Sequence, residues 1–149
     1  MTIRPKYETA PQPSKADEAD AYELVTLRDG DRCQRCLRNC GWGVTSRDHR
    51  KDRSLGGLTV VSNLQVLGGT GTTGCHGWKS AHPAEAIAEG WAVPGYADPA
   101  EWPARRRVRG QYGIYIDIWV LYDDGGGVRE ITEEEARERM TAMGWRATA

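Results

Sequence analysis

The chain lacks any apolar run approaching the roughly 20 residues that a membrane-spanning helix needs, and its N-terminus has no hydrophobic centre of a signal peptide. These absences predict a soluble, cytoplasmic protein with no membrane partner. No internal repeat is present, which excludes a repeat architecture. Neither sign of charge is in excess: a net charge of -1 gives the whole molecule no electrostatic signature for nucleic acid. Cysteine is scarce, at four, and in a reducing compartment these residues suit thiolates or metal ligands better than a disulfide framework. Histidine is scarcer. His49, His76 and His82 are the only three, so histidine-dependent chemistry is confined to one segment. A length of 149 residues with 39% hydrophobic content suits one domain with a modest core, for which some stapling is expected.

What is present is concentrated. Asp48-His49 sets a hard oxygen ligand beside an imidazole that titrates near neutral pH, the two tools that water activation at a phosphodiester needs. Arg47, Arg50, Lys51 and Arg53 crowd this dipeptide, and with Lys79 they are the expected phosphate contacts; such contacts position a duplex without reading its sequence. A second cluster, Arg105, Arg106, Arg107 and Arg109, reads equally as solvated surface or as phosphate contact. Cys33-x-x-Cys36 has the spacing of a zinc knuckle. His82, directly before Pro83, reads as a helix-cap or surface residue, and Trp42 and Trp78 as core.

Along the chain, residues 1–15 carry three prolines and read as a disordered or loosely docked arm. A helix is expected from Ala16 to about Arg28, with Ala19, Tyr22, Leu24, Val25 and Leu27 available for its buried stripe and Asp29-Gly30 as its end. Gly41 to Ser46 reads as a short strand delivering Asp48 and His49, and Val60 to Leu67 as a second strand, or a loop entering one, with Asn63 at the entry. A short helix is expected from about Cys75, and another from Pro83 to Glu89 with Gly90 as its stop. Trp91 to Val93 reads as a brief strand, and residues 94–110 as a linker with a basic cluster. Alternation from Tyr112 to Tyr122 is the clearest strand signal, paired through Asp123 to Gly127 with Val128 to Ile131. Thr132-x-x-Glu135 is a capping box for a last helix, so residues 111–149 read as scaffold.

The ordered set Cys33-x-x-Cys36, Asp48-His49, Asn63 and Cys75-His76-x-x-Lys79 resembles the HNH endonucleases of the His-Me finger, or ββα-metal, group. The resemblance covers about Asp29 to Val93. It is strongest to small phage HNH proteins with a Gly-Thr-Thr-Gly-Cys-His-Gly segment, here Gly71 to Gly77, some encoded beside the packaging terminase. It implies an α+β ββα-metal nuclease domain over residues 16–93 with a treble-clef-like zinc knuckle, followed by a C-terminal hairpin and helix. It also implies that His49 is the general base and that Asp48 and His76 hold a divalent cation, Mg2+ or Mn2+ or another metal. Asn63 then either orients the His49 loop or adds a ligand. The implied partner is DNA, with a phage terminase as a further one, and the implied compartment is the host bacterial cytoplasm.

One departure stands out. The phage proteins usually carry a cysteine after the Leu that precedes the glycine-threonine loop, whereas here Leu67 is followed by Gly68. Cys40 is the remaining thiolate that completes a tetrahedral set with Cys33, Cys36 and Cys75; loss of zinc is the alternative. A competing function is a non-catalytic zinc-dependent DNA-binding or terminase-accessory module, which has no need of Asp48, His49 or His76.

Overall fold

The computed structural model describes residues 10–147. It is a mixed α+β structure with two small antiparallel sheets. Helix α1 spans Lys15–Asp29; Ser14 caps its start by accepting from Asp17 N, and Gly30 closes its end in the left-handed conformation. Strands β1 (Thr45–His49) and β2 (Leu64–Gly68) pair in register, with Asp48 opposite Gln65 and His49 opposite Leu64. Helix α2 (Gly74–Ala81) follows directly, and α3 (Pro83–Ala88) follows it with Pro83 in its first turn. The second sheet has the order β3 (Ala104–Arg109), β4 (Tyr115–Tyr122), β5 (Val128–Ile131). Helix α4 (Glu133–Ala142) begins at Thr132, whose hydroxyl accepts from Glu135 N.

Every residue of β2 is buried because α1 and α2 both pack against it. Its Leu64 and Val66 meet Ala21, Val25 and Val61, each fully buried aliphatic contributing about 1.5–3 kcal/mol. Leu67 turns instead toward Cys33 and Cys75. A second core joins Trp102, Trp119, Ile131, Ala136 and Met140 and ties the C-terminal sheet to α4.

The elements fall where expected at α1, α2, α3 and α4, and in part at β2 and the β4–β5 hairpin, where Val61–Asn63 and Gln111–Gly113 form 3-10 turns ahead of the strands. Elsewhere the expectations fail for physical reasons. The first strand begins at Thr45, since Gly41 to Val44 form a turn in which Trp42 takes a positive φ and stands 93% exposed rather than in the core. Trp91 to Val93 form no strand. The segment 94–110 is not a plain linker: Ala104–Arg109 pair with β4, and Arg107 N donates to Gln34 O in the cysteine loop. The buried face of α1 follows Glu18, Ala21, Val25 and Asp29, leaving Ala19 and Leu27 exposed. Ile114 and Ile116 are also exposed, because only the second half of β4 is covered. Of the N-terminal arm, residues 1–9 lie outside those described. Gln12 docks the rest by donating to Gly57 O and accepting from Thr59 N. Among the described residues no helix is long and apolar enough to cross a membrane.

Candidate functional site

The strand period places successive side chains of β1 on opposite faces. Ser46 and Asp48 face α2, where they meet His76 and Lys79. Arg47 and His49 face α1, where Arg47 Nε donates to Thr26 Oγ1 and the His49 ring meets the Tyr22 ring edge-on. The pairing of β1 with β2 and the packing of α2 on β2 thus bring Asp48 and His76 together, the two residues that the resemblance pairs. His76 Nε2 lies 3.4 Å from Asp48 Oδ1. Two donors each about 2.1 Å from one ion would stand about this far apart, and Asp48 Oδ1 also accepts from Lys79 Nζ at 3.2 Å. Gln65 Nε2 donates to Asp48 Oδ2 at 2.9 Å and orients the carboxylate from across the strand pair.

Lys79 is turned inward. It is 7% exposed, its Nζ lies 3.2 Å from Asp48 Oδ2, and it donates to His49 O at 3.0 Å. Its ammonium is engaged by the site carboxylate rather than presented on the surface for a phosphate.

His49 Nε2 is 2.9 Å from Thr59 Oγ1 and also accepts from Arg53 Nε at 3.4 Å, whereas Nδ1 has no partner among the described residues. Burial, reinforced by the nearby Arg53 guanidinium, holds the ring below its ordinary pKa, which keeps it unprotonated near neutral pH. Asn63 is fully buried behind it. Its amide donates to Lys51 O and Leu58 O and its carbonyl accepts from Lys51 N, while its backbone carbonyl accepts from Arg50 N. These bonds clamp the loop after His49 at both ends. Of the two roles offered for Asn63, orientation of the loop is the one the geometry supports.

The basic residues divide. Arg50 cannot be a phosphate contact: it is 1% exposed and donates to Ser62 O, Pro99 O and Trp102 O, and burial lowers its pKa to about 10. Arg47 pairs with Asp31, and Lys51 Nζ donates to Ala97 O. Arg53, exposed and reaching Thr59 and Glu18, has the most solvent-accessible head of those near His49. Three arginines of the second cluster are half-buried and engaged within the molecule, while Arg109 is exposed. Arg106 pairs with buried Asp29, Arg107 pairs with Asp117, and Arg105 lies over the Trp119 ring. His82 stacks on Trp78 and bonds its carbonyl, consistent with a local role.

The four cysteines converge. Cys33, Cys36, Cys40 and Cys75 place their sulfurs within 4.8 Å of one another, and no other group of three or more such ligands occurs among the described residues. Zinc–sulfur bonds of about 2.3 Å suit such a set, so it fits a structural metal such as zinc. The thiols differ in their electrostatics. A hydrogen bond from Cys75 pulls the Cys33 thiol well down, the same contact and burial push Cys75 up, and burial pushes Cys36 to about 11. Arg35 donates to Cys75 Sγ at 3.4 Å while lying over the Trp78 ring.

Four site neighbours escaped the sequence reading: Ser46, Gln65, Thr59 and Arg35. Ser46 was accessible from strand period, being two residues before Asp48, and Gln65 from cross-strand register. Nothing local marks Thr59 or Arg35. In comparison with known proteins, the chain matches no family model, no curated protein and no solved structure.

Proposed function

We propose that the chain is a metal-dependent DNA endonuclease of the HNH type, in which β1, β2 and α2 form the ββα unit and the four cysteines hold a structural zinc. The observation that carries this reading is the Asp48–His76 pair at 3.4 Å, set on one face of β1 while His49 leaves the opposite face. That division separates a base from a ligand pair, as in-line attack on a phosphodiester requires. A divalent cation such as Mg2+ or Mn2+, when bound by Asp48 and His76, supplies Lewis-acid stabilisation of the charge that develops on the phosphate and the leaving oxygen.

The residues of the chain do the rest. His49, kept neutral by burial and by Arg53, carries its one ring proton on Nδ1 because Nε2 accepts from Arg53 Nε, so Nε2 is the nitrogen that takes the proton of the attacking water. Thr59 Oγ1 lies 2.9 Å from that same nitrogen and orients the ring, and Asn63 fixes the loop that carries Arg53. Gln65 and Lys79 fix the Asp48 carboxylate. Arg53, with Arg47 and Lys51 beside it, supplies positive charge for the DNA backbone. A role beside a phage packaging terminase rests on the likeness of Gly71 to Gly77 to the phage segment.

One observation favours the second reading, a zinc-dependent DNA-binding or terminase-accessory module: the Lys79 ammonium already neutralises Asp48. Incubating the purified protein with supercoiled plasmid and Mg2+, Mn2+ or chelator decides between them. Nicked or linear product that disappears with chelator and with His49→Ala supports the nuclease; DNA binding without cleavage supports the module.

A further inference from the structure

We propose that Ser46 is the positioning residue that presents His76 as a ligand, an inference that rests on the assignment of the Asp48–His76 pair to a divalent cation. Ser46 Oγ lies 2.6 Å from Gly69 O and 3.1 Å from His76 Nδ1. A carbonyl oxygen has no proton to give, so the single hydroxyl proton of Ser46 goes to Gly69. Ser46 Oγ is left to accept, and its partner is the imidazole. His76 Nδ1 therefore carries a proton. In the neutral ring Nε2 then holds a lone pair, and that lone pair faces Asp48 Oδ1 at 3.4 Å. The Lys79 ammonium, 3.2 Å from that same oxygen, offsets the carboxylate charge, and the Nε2 lone pair is the donor of the pair that a divalent cation would engage.

The acceptor that orients Ser46 is itself fixed. Gly69 N donates to Val44 O at 2.8 Å, and Gly69 has a φ of +96° with the Thr73 carbonyl packed where a β-carbon would go. Neither Gly69 nor its carbonyl can move aside cheaply. The cysteine cluster grips the same assembly from two directions: Cys75 immediately precedes His76 in α2, and Gly68, immediately before Gly69, packs against Cys40 Sγ. The hydroxyl thus links the cysteine loop to the tautomer of the ligand histidine.

The test is the tautomer of His76, read from imidazole nitrogen chemical shifts of the zinc-loaded protein without added divalent cation. Mn2+ affinity, from electron paramagnetic resonance, is the second readout. The native protein should show His76 in the Nδ1–H form. Ser46→Ala should shift the ring toward the Nε2–H form and weaken Mn2+ binding roughly tenfold to a hundredfold. Ser46→Thr keeps the hydroxyl and should restore both, which separates the hydrogen bond from a general effect of substitution; unchanged zinc content in each variant shows that the fold is kept. Persistence of the Nδ1–H form in Ser46→Ala, or native Mn2+ affinity there, overturns the role of Ser46. A native protein that shows the Nδ1–H form but binds Mn2+ no better than His76→Ala overturns the metal assignment instead, and the proposal with it.

Discussion

Gly68 and Cys40 occupy one space: a β-carbon at position 68 would fall on Cys40 Sγ. The absence of a side chain at Gly68 makes room for the Cys40 thiol. The fourth sulfur thus arrives from the loop before β1 rather than from β2.

This close packing gives the first prediction. Cys40→Ala should lower both bound zinc and melting temperature, and adding Gly68→Cys should recover zinc because a thiol then returns to the same space from β2. Gly68→Ala alone should destabilise by about 1–3 kcal/mol through overpacking against Cys40. Metal analysis and thermal melts of the three variants check this. Full zinc retention in Cys40→Ala would exclude Cys40 from the site.

Arg50 carries the second prediction. Its guanidinium serves three carbonyls, those of Ser62, Pro99 and Trp102, from a position with almost no solvent access. Arg50→Met should leave those groups without a donor and cost about 3 kcal/mol or more, since each unsatisfied buried polar group costs about 1–3 kcal/mol. The salt dependence of DNA binding should stay unchanged where the variant is folded. Arg53→Gln should do the reverse, with a small loss of stability and a salt slope flatter by about one unit. Urea unfolding and DNA titration at several salt concentrations give both numbers.

The helices and the β4–β5 hairpin were legible because they rest on local signals: the Thr132 capping box, Pro83 in a first turn, alternation ending at Tyr122. The cysteine and histidine positions were legible because ligand chemistry restricts residue type. What was hidden depends on partners far along the chain. The buried face of α1 includes Asp29, a residue that sequence pattern sends to the surface. It is tolerated inside because Arg28 and Arg106 both pair with it and Val66 N donates to it. The same pairing explains β3. A run of arginines does not look like a strand until Asp29, Asp117 and the Trp119 ring are seen to receive Arg106, Arg107 and Arg105. Trp42 reads as core by composition, yet the turn between Cys40 and β1 points it into solvent.

The third prediction concerns pH. The His49 pKa is lowered first by burial and then by the Arg53 charge, so the neutral base persists below the ordinary histidine value of 6.5. Cleavage should therefore be maintained as pH falls toward 6.5 and decline below it, as the ring takes up a proton. Arg53→Gln removes the second cause while leaving the first. The His49 pKa should rise, and the acid limb of the rate profile should move toward neutral pH with it. Titration of the His49 ring by NMR measures the shift independently of DNA affinity. An unchanged ring pKa in Arg53→Gln would show that burial alone sets it.

The last prediction separates the base from the ligands. His49 faces α1 while Asp48 and His76 meet on the other side of β1, so the two functions should fail differently. His49→Ala should keep Mn2+ binding and DNA affinity while cleavage falls by roughly a hundred- to ten-thousand-fold, the scale of a lost general base. His76→Ala should weaken Mn2+ binding first, and raised metal should restore part of its rate. Asp48→Ala should behave like His76→Ala with one addition. Lys79 and Gln65 both rest on the Asp48 carboxylate, so its removal leaves a nearly buried ammonium with only the more distant, exposed Asp52 carboxylate and His49 O, and should also lower the melting temperature. Added metal cannot replace a missing proton acceptor, so His49→Ala should stay inactive at every metal concentration. A metal titration of plasmid cleavage, run beside calorimetric metal binding for the three variants, reads all of this. Loss of metal affinity in His49→Ala equal to that in His76→Ala would make His49 a ligand and overturn the division of roles across β1.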